Sequence, residues 1–109
     1  MHEAKRGRLE AAGWRFGDAK EFLGLSNQEA AYIELKLKLA AGLRKKRLRR
    51  GLGQAGVARL VKSSQSRVAK MEAADGSVSI DLLIRSLIAL GASNPELARI
   101  IAARRNNRP

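Results

Sequence analysis

Apolar residues recur every three to four positions over much of the chain after residue 26, which is the period of α-helices. The longest stretch begins at Ser26, which forms with Glu29 the S-x-x-E pattern of a capping box, and it runs to Arg50. Leu35 and Leu39 lie on a second side, so this helix is predicted to have two apolar flanks. Its inward stripe is predicted to consist of Ile33, Leu37, Ala40, Leu43 and Leu48.

Residues 53–72 carry two shorter stripes separated by a polar break. The first contains Val57, Ala58 and Val61, and the second contains Val68 and Met71. The small side chain of Ala58 suits a point where two helices cross closely. The break consists of Lys62, Ser63 and Ser64, and its last residue is placed to cap the second helix. The pattern predicts two short helices joined by a tight turn.

The most apolar predicted helix follows this pair. Ser79 and Asp81 are placed to cap it, and Gly91 is placed to end it. A second capping box, Ser93 to Glu96, opens a last helix with Leu97, Ile100 and Ile101. Part of the apolar surface of the first of these helices is expected to close the core. The remainder exceeds what a monomer of this size can bury and, with the last helix, is a candidate for a two-fold dimer interface.

The residues ahead of Ser26 are of two kinds. Residues 1–13 are polar and basic, as in a flexible arm, whereas residues 14–25 hold three of the four aromatic residues and predict a short helix over residues 19–23. That cluster packs either on the long helix or against a partner protein. The predicted organisation is an N-terminal extension (residues 1–26), a helical domain (27–103) and a basic tail (104–109).

Composition narrows the classes of partner. The 109 residues include 22 Lys and Arg against 10 Asp and Glu, a formal net charge of +12. Such a charge favours nucleic acid first and an anionic membrane surface second, and it also fits a ribosomal protein. Because no segment resembles a signal peptide or a membrane span, we expect a soluble, cytoplasmic protein without a membrane partner.

The residues give little support for catalysis. There is no cysteine, and the single histidine is His2, in the predicted arm. No glycine-rich phosphate loop, acidic pair or calcium-loop spacing is present. We therefore predict that the chain is not an enzyme and holds no metal and no cofactor.

The second short helix of residues 53–72 has a polar outer arc. At ~100° per residue, the inward Val68 and Met71 lie opposite Gln65, Ser66, Ala69 and Lys70. Glutamine pairs with adenine, serine bonds to several bases, and lysine reaches guanine or phosphate in the major groove. The arc is therefore a candidate surface for contacting base edges, the plain alternative being a solvated face of a small bundle.

Residues 33–90 resemble the Cro/CI (XRE) family of helix-turn-helix proteins. The resemblance rests on Gln54 at the start of the motif, the small Ala58, the turn at Lys62 and the inward Val68 and Met71. It implies an all-α, lambda-repressor-like DNA-binding domain of roughly five or six helices with a short N-terminal helical extension. Three residues depart from the family pattern, Lys62 where glycine is usual, Gly53 where Thr or Ser normally caps, and Gly56 inside the first helix.

The resemblance also implies roles for individual residues. In the family, the glutamine that opens the motif bonds a phosphate and helps orient the first base-contacting side chain, which implies these roles for Gln54 and Gln65. Base contacts are implied for Gln65, Ser66, Arg67 and Lys70. Phosphate contacts are expected from Gln54, Lys62, Ser64, Arg47 and Arg50, the last two because the basic end of the long helix adjoins the motif.

Two functions remain open at this stage. The first is a transcriptional regulator, a repressor that binds an inverted repeat in double-stranded DNA as a homodimer. The second is an antitoxin, because small proteins of this resemblance with an extra N-terminal segment are similar to HigA-type antitoxins, which bind a RelE-like (HigB) toxin and repress their own operon. Residues 14–25 would then face the toxin, although the chain's positive charge argues against a basic toxin. Non-specific coating of nucleic acid is disfavoured by the weakly charged arc at Gln65 and Ser66.

Overall fold

A computed structural model describes residues 26–104, and this part of the chain contains five α-helices and no strand. The predicted all-α fold is confirmed. The predicted arm, the short helix over residues 19–23 and most of the basic tail lie outside the described residues. No helix within residues 26–104 is long and apolar enough to cross a membrane. The helices are α1 (Asn27–Arg49), α2 (Gln54–Leu60), α3 (Gln65–Glu72), α4 (Ile80–Ala89) and α5 (Asn94–Ala102).

Serine side chains begin four of these helices. The hydroxyl oxygens of Ser26, Ser64, Ser79 and Ser93 each accept a hydrogen bond from the backbone N–H three residues later. A cap of this kind contributes about 1 kcal/mol to helix stability. At Ser26 the predicted capping box is complete, because Glu29 accepts from the Ser26 N–H at 3.0 Å.

Two predicted capping interactions are replaced by tertiary or local ion pairs. Ser93 accepts from the N–H of Glu96 at 3.2 Å, but the Glu96 carboxylate binds Lys46 and Arg49 on α1. Hydrogen bonds between ionised groups are stronger than a bond to a neutral backbone N–H. The Glu96 carboxylate therefore binds the cations of α1 and does not bond the backbone N–H of Ser93. Asp81 pairs with Arg85 one turn later on α4, which leaves Ser79 as the side-chain cap.

Helix α1 is the element against which α3, α4 and α5 pack. Its Leu39 and Leu43 have no exposed surface. Burying one such leucine contributes about 2 kcal/mol by removing apolar surface from water. Around them the other helices and the loop after α3 supply Val57, Ala58, Val68, Met71, Ala74, Val78, Leu83, Leu87 and Leu90.

The buried stripe of α1 differs in part from the predicted one. Ile33, Ala40 and Leu43 are buried as predicted, and Leu37 is half-buried, whereas Leu48 is 50 % exposed. Leu39, which the pattern placed on a second side, is fully buried. Leu48 lies ~100° around the helix from Arg47, the residue that faces α3, so the last turn of α1 directs Leu48 away from the core.

Candidate nucleic-acid interface

Helix α2 ends in a left-handed turn at Lys62. The backbone φ of Lys62 is 57°, the Ser63 N–H donates to the Ala58 carbonyl at 2.8 Å, and the Lys62 N–H donates to the Arg59 carbonyl at 3.3 Å. These two bonds form a Schellman motif, which reverses the chain sharply after a helix. The conformation expected at Lys62 is thus present without glycine, at a cost of about 1 kcal/mol or more from its Cβ.

The turn leaves one face of α3 exposed. Val68 and Met71 have no exposed surface and fix the inward side, as predicted. The opposite side carries Gln65, Ser66 and Lys70, and Arg67 lies on its flank. All four are exposed, and their side chains make no hydrogen bond or salt bridge within the described residues. A groove of about 270 Å³ separates α3 from the loop before α4, and it is lined by Ser64, Ser66, Arg67, Lys70, Ser77 and Val78.

Behind this face, Glu72 in the last turn of α3 attaches the helix to its neighbours. Its carboxylate accepts hydrogen bonds from Nε and Nη2 of Arg47 on α1 and, at 3.2 Å, from Nε2 of Gln54 on α2. Arg47 also donates from Nη1 to the Leu52 carbonyl at 3.1 Å. The side chains of Arg47 and Glu72 are 11 % and 6 % exposed, and the hydrogen bonds to Glu72 raise the pKa of Arg47.

A second contact from α1 holds the loop that follows α3. Lys36 is 3 % exposed, and its ammonium group donates to the backbone carbonyl of Asp75 at 2.9 Å. Asp75 in turn accepts from the hydroxyl and the backbone N–H of Ser77, which lowers the pKa of Asp75. The sequence prediction missed Lys36. The signal that could have revealed it is spacing, because Lys36 lies in the same helical stripe as Ile33 and Ala40. A lysine buried in that stripe requires a polar partner.

The basic end of α1 makes several contacts within the chain, and the phosphate-binding rim that its charge predicted stays a prediction. Arg47 is committed to Glu72, and Arg50 donates from Nη1 to the Leu90 carbonyl at 3.1 Å. Lys46 and Arg49 both bind Glu96. The reason is that the end of α1 lies among α3, α4 and α5, where carboxylates and carbonyl groups are within reach. Nε, Nη1 and Nη2 of Arg47 are all engaged within the chain, whereas Arg50 is exposed and keeps unused guanidinium donors. Phosphate contacts by these two residues stay predictions.

The other predicted phosphate contacts keep unused donors. One amide N–H of Gln54 donates to Glu72, and the second is available for a phosphate oxygen. The oxygen of Ser64 accepts from the Arg67 N–H at 3.1 Å, which leaves its O–H available. The side chain of Lys62 is exposed and makes no hydrogen bond within residues 26–104. These three residues lie at the starts of α2 and α3 and in the turn that joins them.

Two short helices, a tight turn and an exposed polar face on the second helix define a helix-turn-helix DNA-binding protein. The family model described as "Helix-turn-helix domain" matches residues 38–100, and the chain belongs to this family. No curated protein and no solved structure gives a match. Within the described part of the chain, no group of three or more His, Cys, Asp or Glu residues is placed to hold a metal ion.

Proposed function

We propose that this protein is a sequence-specific transcriptional regulator that inserts α3 into the major groove of duplex DNA. The observation that carries the proposal is the free polar face of α3, on which Gln65, Ser66, Arg67 and Lys70 are exposed and unbonded in the described chain. Amide, hydroxyl, guanidinium and ammonium groups are the donors and acceptors that distinguish base pairs in that groove. Attachment of the same helix to α1 and α2 through Glu72 supports the proposal, because base contacts require a fixed helix.

Phosphate contacts in this proposal come from Gln54, Lys62 and Ser64. They flank α3 on the side where α2 and the turn approach the DNA backbone, and each keeps a donor for a phosphate oxygen. Such contacts fix the register of the helix on the duplex and supply salt-dependent affinity. Base contacts from Gln65, Ser66, Arg67 and Lys70 then provide the discrimination between sites.

We further propose that the protein acts as a repressor by occupying an inverted repeat as a homodimer. Ile88 on α4 and Ile101 on α5 are 54 % and 43 % exposed, and Leu97 on α5 is half-buried. Burial of these side chains against a second copy would place two α3 helices in successive major grooves, ~34 Å apart. The two half-sites of the operator are then expected one helical turn apart.

The test is selection of random duplexes by the purified protein and by two variants. We expect the wild type to enrich an inverted repeat. Gln65→Ala should lose discrimination at one position per half-site, worth about 1–3 kcal/mol. Lys62→Ala should weaken binding to all duplexes similarly and reduce the slope of log K against log salt by about 1 per half-site. Equal effects of the two variants on preference would contradict the division of roles, and enrichment of no sequence would contradict the proposal.

The antitoxin hypothesis stays a prediction from the sequence. Its candidate toxin-contacting segment, residues 14–25, lies outside the described residues. An adjacent reading frame for a small RelE-like protein, together with co-purification of the two chains, would support it. The excess of positive charge in this chain, +12, opposes association with a basic toxin.

A further inference from the structure

A cleft runs between α1 and α5, away from the recognition surface, which is the exposed polar face of α3 together with the turn at Lys62. Two grooves, of about 350 and 210 Å³, meet there and share Gly42, Lys45, Ile100 and Ala103 as lining residues. The floor is apolar, because a Cβ at Gly42 would lie only 2.9 Å from Cδ1 of Ile100, so the isoleucine packs directly on the α1 backbone. Glycine inside a helix costs about 1 kcal/mol relative to alanine, and this close approach explains its presence.

Cations form the rim of the cleft. The grooves are lined by the basic residues Lys38, Arg44, Lys45, Arg49, Arg99 and Arg104. Glu96 is the one carboxylate among the lining residues, and it is already bound to Lys46 at 2.9 Å and to Arg49 at 3.0 Å. The side chains of Arg44, Lys45, Arg99 and Arg104 make no hydrogen bond or salt bridge within residues 26–104. Their summed field attracts an anionic ligand.

The cleft and α3 lie against different faces of α1. Lys36 and Arg47 point towards α3 and the loop after it, whereas Lys38 donates to the Ile101 carbonyl on α5 at 3.0 Å. At ~100° per residue, Lys36 and Lys38 are ~200° apart around the helix. A ligand in the cleft therefore leaves the outer face of α3 free for DNA.

This protein's own segments outside residues 26–104 offer no net negative charge to the cationic rim. Residues 1–25 hold five Lys and Arg against four Asp and Glu, and the charged side chains of residues 105–109 are all arginine. A second copy would bring the same cationic rim against the first. Nucleic acid matches the charge but offers a phosphodiester backbone to an apolar floor. An acidic peptide with an apolar side chain matches both the rim and the floor.

We propose that the α1–α5 cleft is the docking site for an acidic peptide segment of a partner protein. An apolar side chain of the segment packs on Ile100 and Ala103, while its carboxylates bind Lys45 and Arg104. The inference does not depend on the proposed operator recognition, because the two surfaces share no lining residue. A regulator with this arrangement holds a second protein beside the DNA that it occupies.

The test uses a labelled helical peptide with leucine at every third or fourth position and glutamate elsewhere. Two control peptides carry glutamine in place of glutamate, or serine in place of leucine. The cleft variant Lys45→Gln/Arg104→Gln is compared with Lys62→Gln/Lys70→Gln, which removes the same charge from the recognition surface. We expect the cleft variant to bind the acidic peptide roughly tenfold more weakly, because two ion pairs are lost, and the recognition-surface variant to bind nearly as the wild type does.

Amide chemical shifts locate the contact independently. Addition of the peptide should move the signals of Gly42 and Ala103, while addition of the selected duplex should move those of α3, and both ligands should bind at once. Equal loss in the two variants, full binding by the serine peptide, absence of peptide binding, or shifts at Gly42 caused by the duplex would each overturn the proposal. Loss of operator binding with peptide binding intact would instead contradict the proposed regulator and leave the docking site standing.

Discussion

At the scale of single residues, two of the helix ends contain a residue in a strained backbone conformation. Helices α1 to α4 are each followed by a residue with positive φ, which is glycine at positions 51 and 91 but Lys62 and Ala74 at the other two. A side chain in this conformation costs about 1–2 kcal/mol. Ala74 is 3 % exposed and packs in the core in return, whereas Lys62 is exposed and its side chain makes no hydrogen bond or salt bridge within the described residues. The retention of strain at Lys62 fits a residue kept for a contact outside the chain.

Replacement of Lys62 by glycine is expected to separate stability from binding. Lys62→Gly should raise the free energy of unfolding by about 1 kcal/mol, since relief of strain exceeds the added entropy of the unfolded chain. DNA affinity should fall at the same time, because a cation in the turn is lost. Urea denaturation measures the first effect and a salt titration of binding the second. Lys62→Ala is the matched control. It should lose the same affinity without gaining stability, and equal stabilisation in both variants would show that strain is not the cause.

At the scale of helices, signals close together in the sequence were sufficient to place the elements. Serine caps and the turn at Lys62 act within a few residues, and the helices bounded by them were predicted correctly. The partners of charged side chains were not predictable in this way. Arg47 and Glu72 are 25 residues apart, and Lys46 and Glu96 are 50 apart, so periodicity gave no sign of either pair. Periodicity therefore did not reveal that four side chains of the basic helix end bind groups on other elements, namely Lys46, Arg47, Arg49 and Arg50.

The bond between α1 and α3 should be among the most important polar contacts for stability. Arg47→Ala leaves the Glu72 carboxylate largely buried without its bidentate partner, and we expect a loss of about 3 kcal/mol in the free energy of unfolding. Arg50→Ala is the control from the same helix end, since it loses one part-buried hydrogen bond to the Leu90 carbonyl, leaves no carboxylate unpaired and should cost about 1–2 kcal/mol. Equal losses in the two variants, measured by urea denaturation, would contradict the central position of the Arg47–Glu72 contact.

The attachment of α5 to α1 should be sensitive to acid. Hydrogen bonding to Lys46, with the charges of Lys46 and Arg49, lowers the pKa of Glu96 from its ordinary value of 4.5. A carboxylate with a lowered pKa in the folded state stabilises the protein above the unfolded-state pKa and loses this contribution as pH falls through the folded-state pKa. Glu96→Gln should therefore be less stable than the wild type at neutral pH, and the difference should shrink below pH 4.5. Urea midpoints across this range test it, and a difference independent of pH would contradict the assignment.

At the scale of the whole molecule, α5 presents two different surfaces. Ile100 faces α1 and forms the floor of the cationic cleft, while Ile101, ~100° further around the helix, is exposed on another side. A dimer that joined two clefts face to face would be repulsive, because basic side chains of one copy would lie against those of the other. Ile88 and Ile101 instead expose apolar side chains, at 54 % and 43 %. Self-association is therefore expected through Ile88 and Ile101 and away from the cleft.

The dimer prediction is tested by placing charge at the two exposed isoleucines. Ile88→Asp/Ile101→Asp should weaken self-association by about a hundredfold or more, because each buried isoleucine contributes about 2 kcal/mol and an aspartate would be buried in its place. Sedimentation equilibrium without DNA measures this directly. Leu48→Asp is the matched control, since Leu48 is 50 % exposed on α1 and lies outside the proposed interface. The double variant should still bind a single half-site through α3 but lose the gain in affinity from the second. A wild-type monomer, or equal weakening by Leu48→Asp, would show that the exposed isoleucines do not join two copies.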